Sequence, residues 1–287
     1  MRTISLFLLA VLAATSLDAA SYQKTNGTIV DPILKTNGNY HSYSGPNLEP
    51  GVTNIGPSYG ADLSQAMLAY ADLNGAHLAY TKLRYANLFN ANLADASIIS
   101  VEFNNSDMRG ANLTDAYAFG ATLTGANLFG ATLTGANLYL SDFTGATMIN
   151  VDLSGTNLGY ATLAADLSGA DLSNADLSYA SLRWSTLTTA DLTGATLNNA
   201  DLSDAILVGS NISAAQLRAA GTIMRADFTG NNMGGFNLSG VNFKDTILSG
   251  TTLTGADLSG AYLFNADLSH ASLRWSTLTT ADLTGAT

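Results

Sequence analysis

The sequence predicts an all-β repeat solenoid carrying one short helical insertion, and three observations carry that reading. A large apolar residue returns at every fifth position from Leu63 to Leu163, with Ala118 the one departure. A small residue, usually Ala, sits two places before it, and Gly, Asn, Asp, Ser and Thr fill most of the remaining places. A period of five matches neither the alternation of a strand nor the 3.6-residue turn of a helix. It fits a chain that turns a corner every five residues and points one large and one small side chain inward each time.

Composition sets the outer bounds. The 287 residues carry a formal charge of −11, no cysteine and only 11% charged side chains. So narrow an alphabet points to internal repeats. The acidic balance argues against direct nucleic-acid binding, because a phosphate backbone recruits Lys and Arg. Without cysteine there is no disulfide framework.

The chain opens with "MRTISLFLLAVLAATSLDAASYQK", in which Arg2 precedes an apolar run from about Ile4 to Ala14 and then small residues. Residues 1–20 therefore read as a secretory signal, too short to span a membrane, with cleavage after Ser16, Ala19 or Ala20. An exported protein, periplasmic or extracellular, is expected, with no membrane span once the signal is removed. Residues 21–60 hold two "KTNG" turns and "HSYSGPNLEPG", with Leu48 in register with Leu63. They read as an N-terminal cap with a degenerate first coil, since an open β edge invites association.

From Ala61 the fives run unbroken: "ADLSQ AMLAY ADLNG AHLAY TKLRY ANLFN ANLAD". The unit A-(D/N)-L-(S/T)-(G/x) resembles that of the pentapeptide-repeat family and covers most of the chain after Gly60. The resemblance implies a right-handed quadrilateral β-helix, four pentapeptides to a coil, with the Leu and the preceding Ala inward. Coils about 4.8 Å apart would then build a rod of roughly 50 Å from about ten of them. Each buried Leu or Phe would contribute roughly 1.5–3 kcal/mol, and outer Asn, Asp, Ser and Thr suit turns because they bond nearby backbone. Two residues depart from the pattern. Ala118 stands in a Leu place, leaving either a cavity or room for Phe119 to fold inward, and Phe236 stands in an Ala place.

The repeat body over 61–212 loses one residue in "ATLAADLSG", where Leu163 and Leu167 are only four apart. A larger break spans Ser213 to Arg225. There Ser213 and Gln216 form an S-x-x-Q capping box, Ala-rich helix formers follow, and Gly221 supplies a stop. A short helix bulging from the rod is expected, with regular fives resuming over 226–287. The closing "ADLTGAT" leaves a coil open, so a chain continuing past Thr287 is expected.

With four repeats to a coil, residues twenty apart share a face. One face collects Asp72, Asp95, Asp115, Asp152, Asp171 and Asp191 without a Lys or Arg. The next collects Tyr80, Ile99, Tyr117, Phe119, Tyr139, Tyr160 and Tyr179, with Asp176 its one charge. The stripe tyrosines and Phe119, together with Trp184 and Trp275, are the candidate interaction surface, because exposed apolar patches mark contacts; rings stacked from strand to strand can equally serve stability alone. On the acidic face, Asp152, Asp171 and Asp191 could share a weak Ca²⁺ site, although neither the EF-hand spacing nor a glycine-rich nonapeptide is present.

Catalytic chemistry finds no support. His41, His77 and His270 have nothing to bring them together, and Asp166, Asp171 and Asp176 fall on three different faces. No nucleophile triad, phosphate loop or metal-ligand spacing appears. The expectation is a non-enzymatic scaffold without a cofactor, contacting a protein or cell-surface component and open to end-to-end or lateral self-association. The alternative implied by the resemblance is an acidic rod that binds a type II topoisomerase in place of DNA, which a secretory signal argues against.

The passage "ASLRWSTLTTADLTGAT" occurs at Ala180–Thr196 and again at Ala271–Thr287. Trp184 and Trp275 each follow an Arg at an outward position, so an Arg stacked on Trp is expected. The copies lie 275 − 184 = 91 residues apart, which is not a multiple of five. Whether both tryptophans share a face depends on how the helix resets the phase.

Overall fold

The computed structural model describes residues 62–287 together with an antiparallel pair of two-residue strands, β1 (Lys24–Thr25) and β2 (Thr28–Ile29). These strands flank the Asn26-Gly27 of the first "KTNG", a pairing favoured for tight hairpins. The segment expected to be a signal (1–20), His41 and the remainder of the expected cap over 21–60 lie outside the described residues.

From Asp62 the chain coils. As far as Asp142 each pentapeptide contributes one parallel bridge to the residue twenty further on, as in Asp62↔Lys82, Met67↔Asn87, Asp72↔Asn92 and His77↔Ser97. Twenty residues therefore make one coil with four turns. We number the four sides by their first core residue: Leu63, Leu68, Leu73 and Leu78 mark the first to the fourth. Leu63 N–H donates to Lys82 O at 2.7 Å and Asn87 N–H to Ala66 O at 2.9 Å, and this alternation knits the regular coils together.

The period of five follows from the turn. Ala66 N–H closes on Leu63 O at 3.0 Å, and Gln65 sits at φ +64°. Positive φ confined to the third turn residue is the type II signature, which favours Gly or Asn there. Glycine takes that place at Gly75 and Gly125, among others. An Asp or Asn before a core residue accepts from the backbone N–H two places on, as Asp171 Oδ1 does from Ser173 N–H at 2.8 Å. That is why Asp and Asn recur there.

The core is a set of columns of Leu, Phe, Ile and Met with Ala packed at the corners, nearly all removed from water. Phe119 does not fold into the space beside Ala118. Ala118 is itself buried, and Phe119 lies outside with its ring stacked on Tyr139. The side chain at the second turn position points away from the core, so Phe119 has no route inward.

The two breaks cancel. At the short corner Ala165 N–H turns directly back to Leu163 O at 2.7 Å, and the bridges from Thr147↔Asp166 to Thr162↔Ser181 close over nineteen residues. The missing residue is absorbed locally and the sides keep their order. At the second break Asp201↔Thr222 and Ile206↔Asp227 close over twenty-one.

The extra residue is housed by helix α1 (Ala214–Ala219), which carries the expected Ser213/Gln216 capping box. The helix does not bulge outward. It replaces the fourth side of its coil and buries Leu217 in the core column, because Leu217 stands where a fourth-side Leu would. The repeat resumes at Thr222 rather than Ala226, with Ile223 in a core place.

Three side-chain amides repair the ladder around the helix. Asn211 Oδ1 accepts from Leu192 N–H at 2.6 Å. Gln216 Nε2 donates to Leu192 O at 2.6 Å and Ala195 O at 2.9 Å. Asn231, buried in an Ala place, accepts from Gly209 N–H and donates to Leu207 O. Phe236, half-buried in the following coil, packs against the core on the helix side.

Candidate interaction surface

The bridges place the aromatic stripe on the fourth side, through His77↔Ser97↔Tyr117↔Asn137↔Asn157↔Asp176. Four of its rings form a continuous ladder. Phe119 and Tyr139 stack with centroids 5.8 Å apart and planes 14° from parallel. Tyr139 meets Tyr160 at 5.4 Å and 57°, and Tyr160 meets Tyr179 at 4.8 Å and 11°.

Local backbone geometry explains where the ladder tilts. Phe119 and Tyr139 leave from the second turn position, whereas Tyr160 and Tyr179 leave from the third, at φ +56° and +60°. Tyr139 lies over Gly159, where a Cβ would come within 3.0 Å of its Cδ2. Gly159 thus provides the seat for the Tyr139 ring and is buried although its position faces outward elsewhere.

A bulky residue in the left-handed region costs about 1–2 kcal/mol. Ring stacking returns about 0.5–1.5 kcal/mol, so the ladder adds little net stability. Its ring faces are spent on one another, and its edges and hydroxyls meet water.

The other candidate residues lie at several places on the solenoid. Tyr117 sits before its core residue on the strand, exposed and apart from the ladder. Tyr80 occupies the same corner three coils before Tyr139, with Ile99 and Phe119 on the coils between. Trp184 follows the first side and Trp275 the third, so the helix sets the two copies on opposite sides of the solenoid. Both are highly exposed, at 65% and 77%. Arg183 lies 4.2 Å over the Trp184 ring and Arg274 4.6 Å over Trp275, the stacking that each Arg-Trp pair suggests.

The acidic residues share the third side as expected, with Asp152↔Asp171↔Asp191 in register. Their carboxylates are engaged by their own turns. Partial burial pushes the Asp152 carboxyl up, but hydrogen bonds from Ser154 and Thr134 outweigh this and leave it below the usual carboxylate range. Hydrogen bonds from Thr193 and Asn211 lower Asp191. Among the described residues no group of three or more His, Asp or Glu side chains converges to hold a metal ion. No helix among them is long and apolar enough to cross a membrane.

Two clusters escaped the sequence reading. On the second side Tyr70 meets Phe89 edge-on at 5.5 Å, and Arg109 lies 5.4 Å over that ring. On the first side Asp204 accepts two hydrogen bonds from Arg225, at 2.6 and 2.7 Å, and one from Arg183 at 3.5 Å. The second cluster spans the helical insertion, so it becomes visible only once the phase across α1 is known.

Stacked twenty-residue coils with a turn every five residues define a repeat solenoid with outward-facing side chains to spare. A family model of pentapeptide repeats matches eight times, over residues 59–95, 78–115, 86–125, 121–159, 164–194, 187–220, 223–260 and 256–287. The chain belongs to the pentapeptide-repeat family.

Among solved structures it is similar to HetL, a pentapeptide repeat protein involved in heterocyst differentiation regulation from the cyanobacterium Nostoc sp. strain PCC 7120. That match has 28% identity over 78% of this chain and 88% of HetL, with a TM-score of 0.36. A trypsin-treated form of QnrB1, a plasmid-mediated fluoroquinolone resistance protein, matches at 17% identity over 67% of this chain and 83% of its own, with a TM-score of 0.34. A pentapeptide repeat protein from the Arabidopsis thaliana thylakoid lumen matches at 32% identity over 38% of this chain and 66% of its own, with a TM-score of 0.19. At these TM-scores the likeness carries no functional argument. No curated protein matches the chain.

Proposed function

We propose that the protein is an exported, non-enzymatic scaffold, a right-handed four-sided rod whose fourth side docks a protein or cell-surface partner. The observation that carries this reading is the Phe119–Tyr139–Tyr160–Tyr179 ladder on a side whose coils before α1 hold one charge, Asp176. In a chain of net charge −11, that side is where a partner meets the least charge desolvation. Aromatic residues are also what interfaces enrich.

The test is a photo-crosslinking side chain at Leu140, which is exposed at the same corner, introduced in cells and compared with one at Thr193 on the acidic side. A defined adduct should form from Leu140 only, and Tyr139→Asp with Tyr160→Asp should abolish it. Asp is at ease in the left-handed place that Tyr160 occupies, so the fold should survive. An adduct that persists unchanged in the double variant sinks the proposal. Fractionation with N-terminal sequencing tests export, and an unprocessed cytoplasmic chain would restore the topoisomerase reading, which a supercoiling assay then decides.

A further inference from the structure

Tyr160 and Tyr179 are held in a geometry that their surroundings do not share. Their rings are 4.8 Å apart and 11° from parallel on adjacent coils. Both leave from the third turn position with φ within a few degrees of each other, so their side chains start out side by side. Tyr160 N–H donates to Ser178 O at 3.0 Å, which ties the two turns together. About half of each side chain is open to solvent, at 48% and 51%. Among the described residues no ring contact joins Tyr70, Tyr85, Tyr117 or Tyr262 to another tyrosine, and Phe119 has no hydroxyl. Tyr139 also touches Tyr160, but with centroids 5.4 Å apart and planes at 57°, farther and less parallel than the Tyr160–Tyr179 pair. The chain has no cysteine, so no disulfide can fasten one coil to another.

We propose that Tyr160 and Tyr179 form an oxidative cross-linking site, joined as a dityrosine by a one-electron oxidant of the peroxidase class with hydrogen peroxide as the electron acceptor. Each phenol gives up one electron and one proton to become a phenoxyl radical. The two radicals pair, forming one carbon–carbon bond between ring carbons ortho to the hydroxyls. The two ring hydrogens displaced there return to the oxygens as aromaticity is restored. The protein loses two hydrogen atoms in all, and one peroxide is reduced to two waters. Groups held in contact react with effective molarities of about 10⁵ M and above when well oriented, so coupling within one chain outruns coupling between chains at micromolar protein. The product is a covalent staple between adjacent coils.

The experiment treats the full chain with a haem peroxidase and hydrogen peroxide, then reads dityrosine fluorescence, gel mobility and peptide masses. Trypsin leaves both tyrosines in one peptide, since no Lys or Arg lies between Arg109 and Arg183, so the digest needs a protease that cleaves at aspartate, as at Asp166, Asp171 and Asp176. The expected product is a monomer lacking two hydrogens, cross-linked between residues 160 and 179. Tyr160→Phe and Tyr179→Phe should each lose it, Tyr262→Phe should keep it, and circular dichroism should show all three folded. Interchain dimers, a Tyr139–Tyr160 link, or undiminished fluorescence in either Phe variant at 160 or 179 would each overturn the proposal.

Discussion

Gln216 is the side chain on which the helical coil most depends. Its amide donates to two buried carbonyls, Leu192 O and Ala195 O, and its Oε1 accepts from Ser213 N–H at 2.7 Å. In a regular coil the backbone N–H of this residue would serve Ala195, but the helix has turned that N–H toward Ser213 Oγ. Gln216→Ala leaves Ala195 O in the core without a donor, at about 1–3 kcal/mol, and leaves Leu192 O with only its turn hydrogen bond from Ala195 N–H, at about 1 kcal/mol more, so a loss of about 3 kcal/mol is expected. Long arrays of repeats need not unfold all-or-none. The appropriate readout is therefore amide hydrogen exchange at Leu192 and Asn199, the latter donating to Ala219 O across the helix. Protection there should fall roughly a hundredfold, while Leu93, far along the solenoid, should be unaffected. Gln216→Glu sharpens the test, because a carboxylate keeps the acceptor for Ser213 but has no proton for the carbonyls. Its native pKa should rise above the unfolded value of about 4.3. The variant should therefore approach wild type below that value and weaken as pH climbs through the raised native one. Near-native protection in Gln216→Glu at neutral pH would refute this account.

Further outcomes follow from the same geometry. Ala118→Leu restores the column between Ile98 and Leu138 and should raise thermal stability by about 1 kcal/mol; a lower midpoint would mean the space is already filled. Gly159→Ala meets no left-handed strain, but its Cβ would displace the Tyr139 ring. Near-ultraviolet circular dichroism should show the ladder disturbed, with a stability loss of about 1 kcal/mol or less; an unchanged spectrum would count against the seat. Turn hydrogen bonds hold several aspartates below their ordinary range, from Ser64 at Asp62, from Thr193 at Asp191 and from Ser269 at Asp267. A lowered native pKa adds stability that is whole above the unfolded value of about 3.9 and is lost as pH falls through the native ones. The thermal midpoint should thus hold at mildly acidic pH and drop below about pH 4, and a midpoint that rises there would show that relief of charge repulsion dominates instead.

Much of this molecule was legible in five-residue steps. The Leu and Ala columns, the third-side aspartates and the fourth-side aromatics all follow from stacking residues twenty apart. The capping box at Ser213 and Gln216 also announced α1 correctly. The direction of the helix was not legible, because Leu217 lies in register with the fourth-side column only if one extra residue is counted across the whole coil. The amide repairs by Asn211, Gln216 and Asn231 were hidden for a related reason. In sequence they look like ordinary polar residues, and only a displaced ladder shows which backbone groups need them.

The sequence by itself determined a five-residue corner, a twenty-residue coil and a side free of nearly all charge, since each depends on spacing within an uninterrupted run. Only the tertiary structure decided what crosses the interruptions. The short corner after Leu163 removes one residue before either tryptophan, and α1 absorbs one between them, which leaves four and a half coils from Trp184 to Trp275; identical in local sequence, the two face opposite ways. Phase in a solenoid is a running sum over the chain. A single residue lost or gained alters it for every residue beyond, and backbone pairing between neighbouring coils decides where that residue is absorbed.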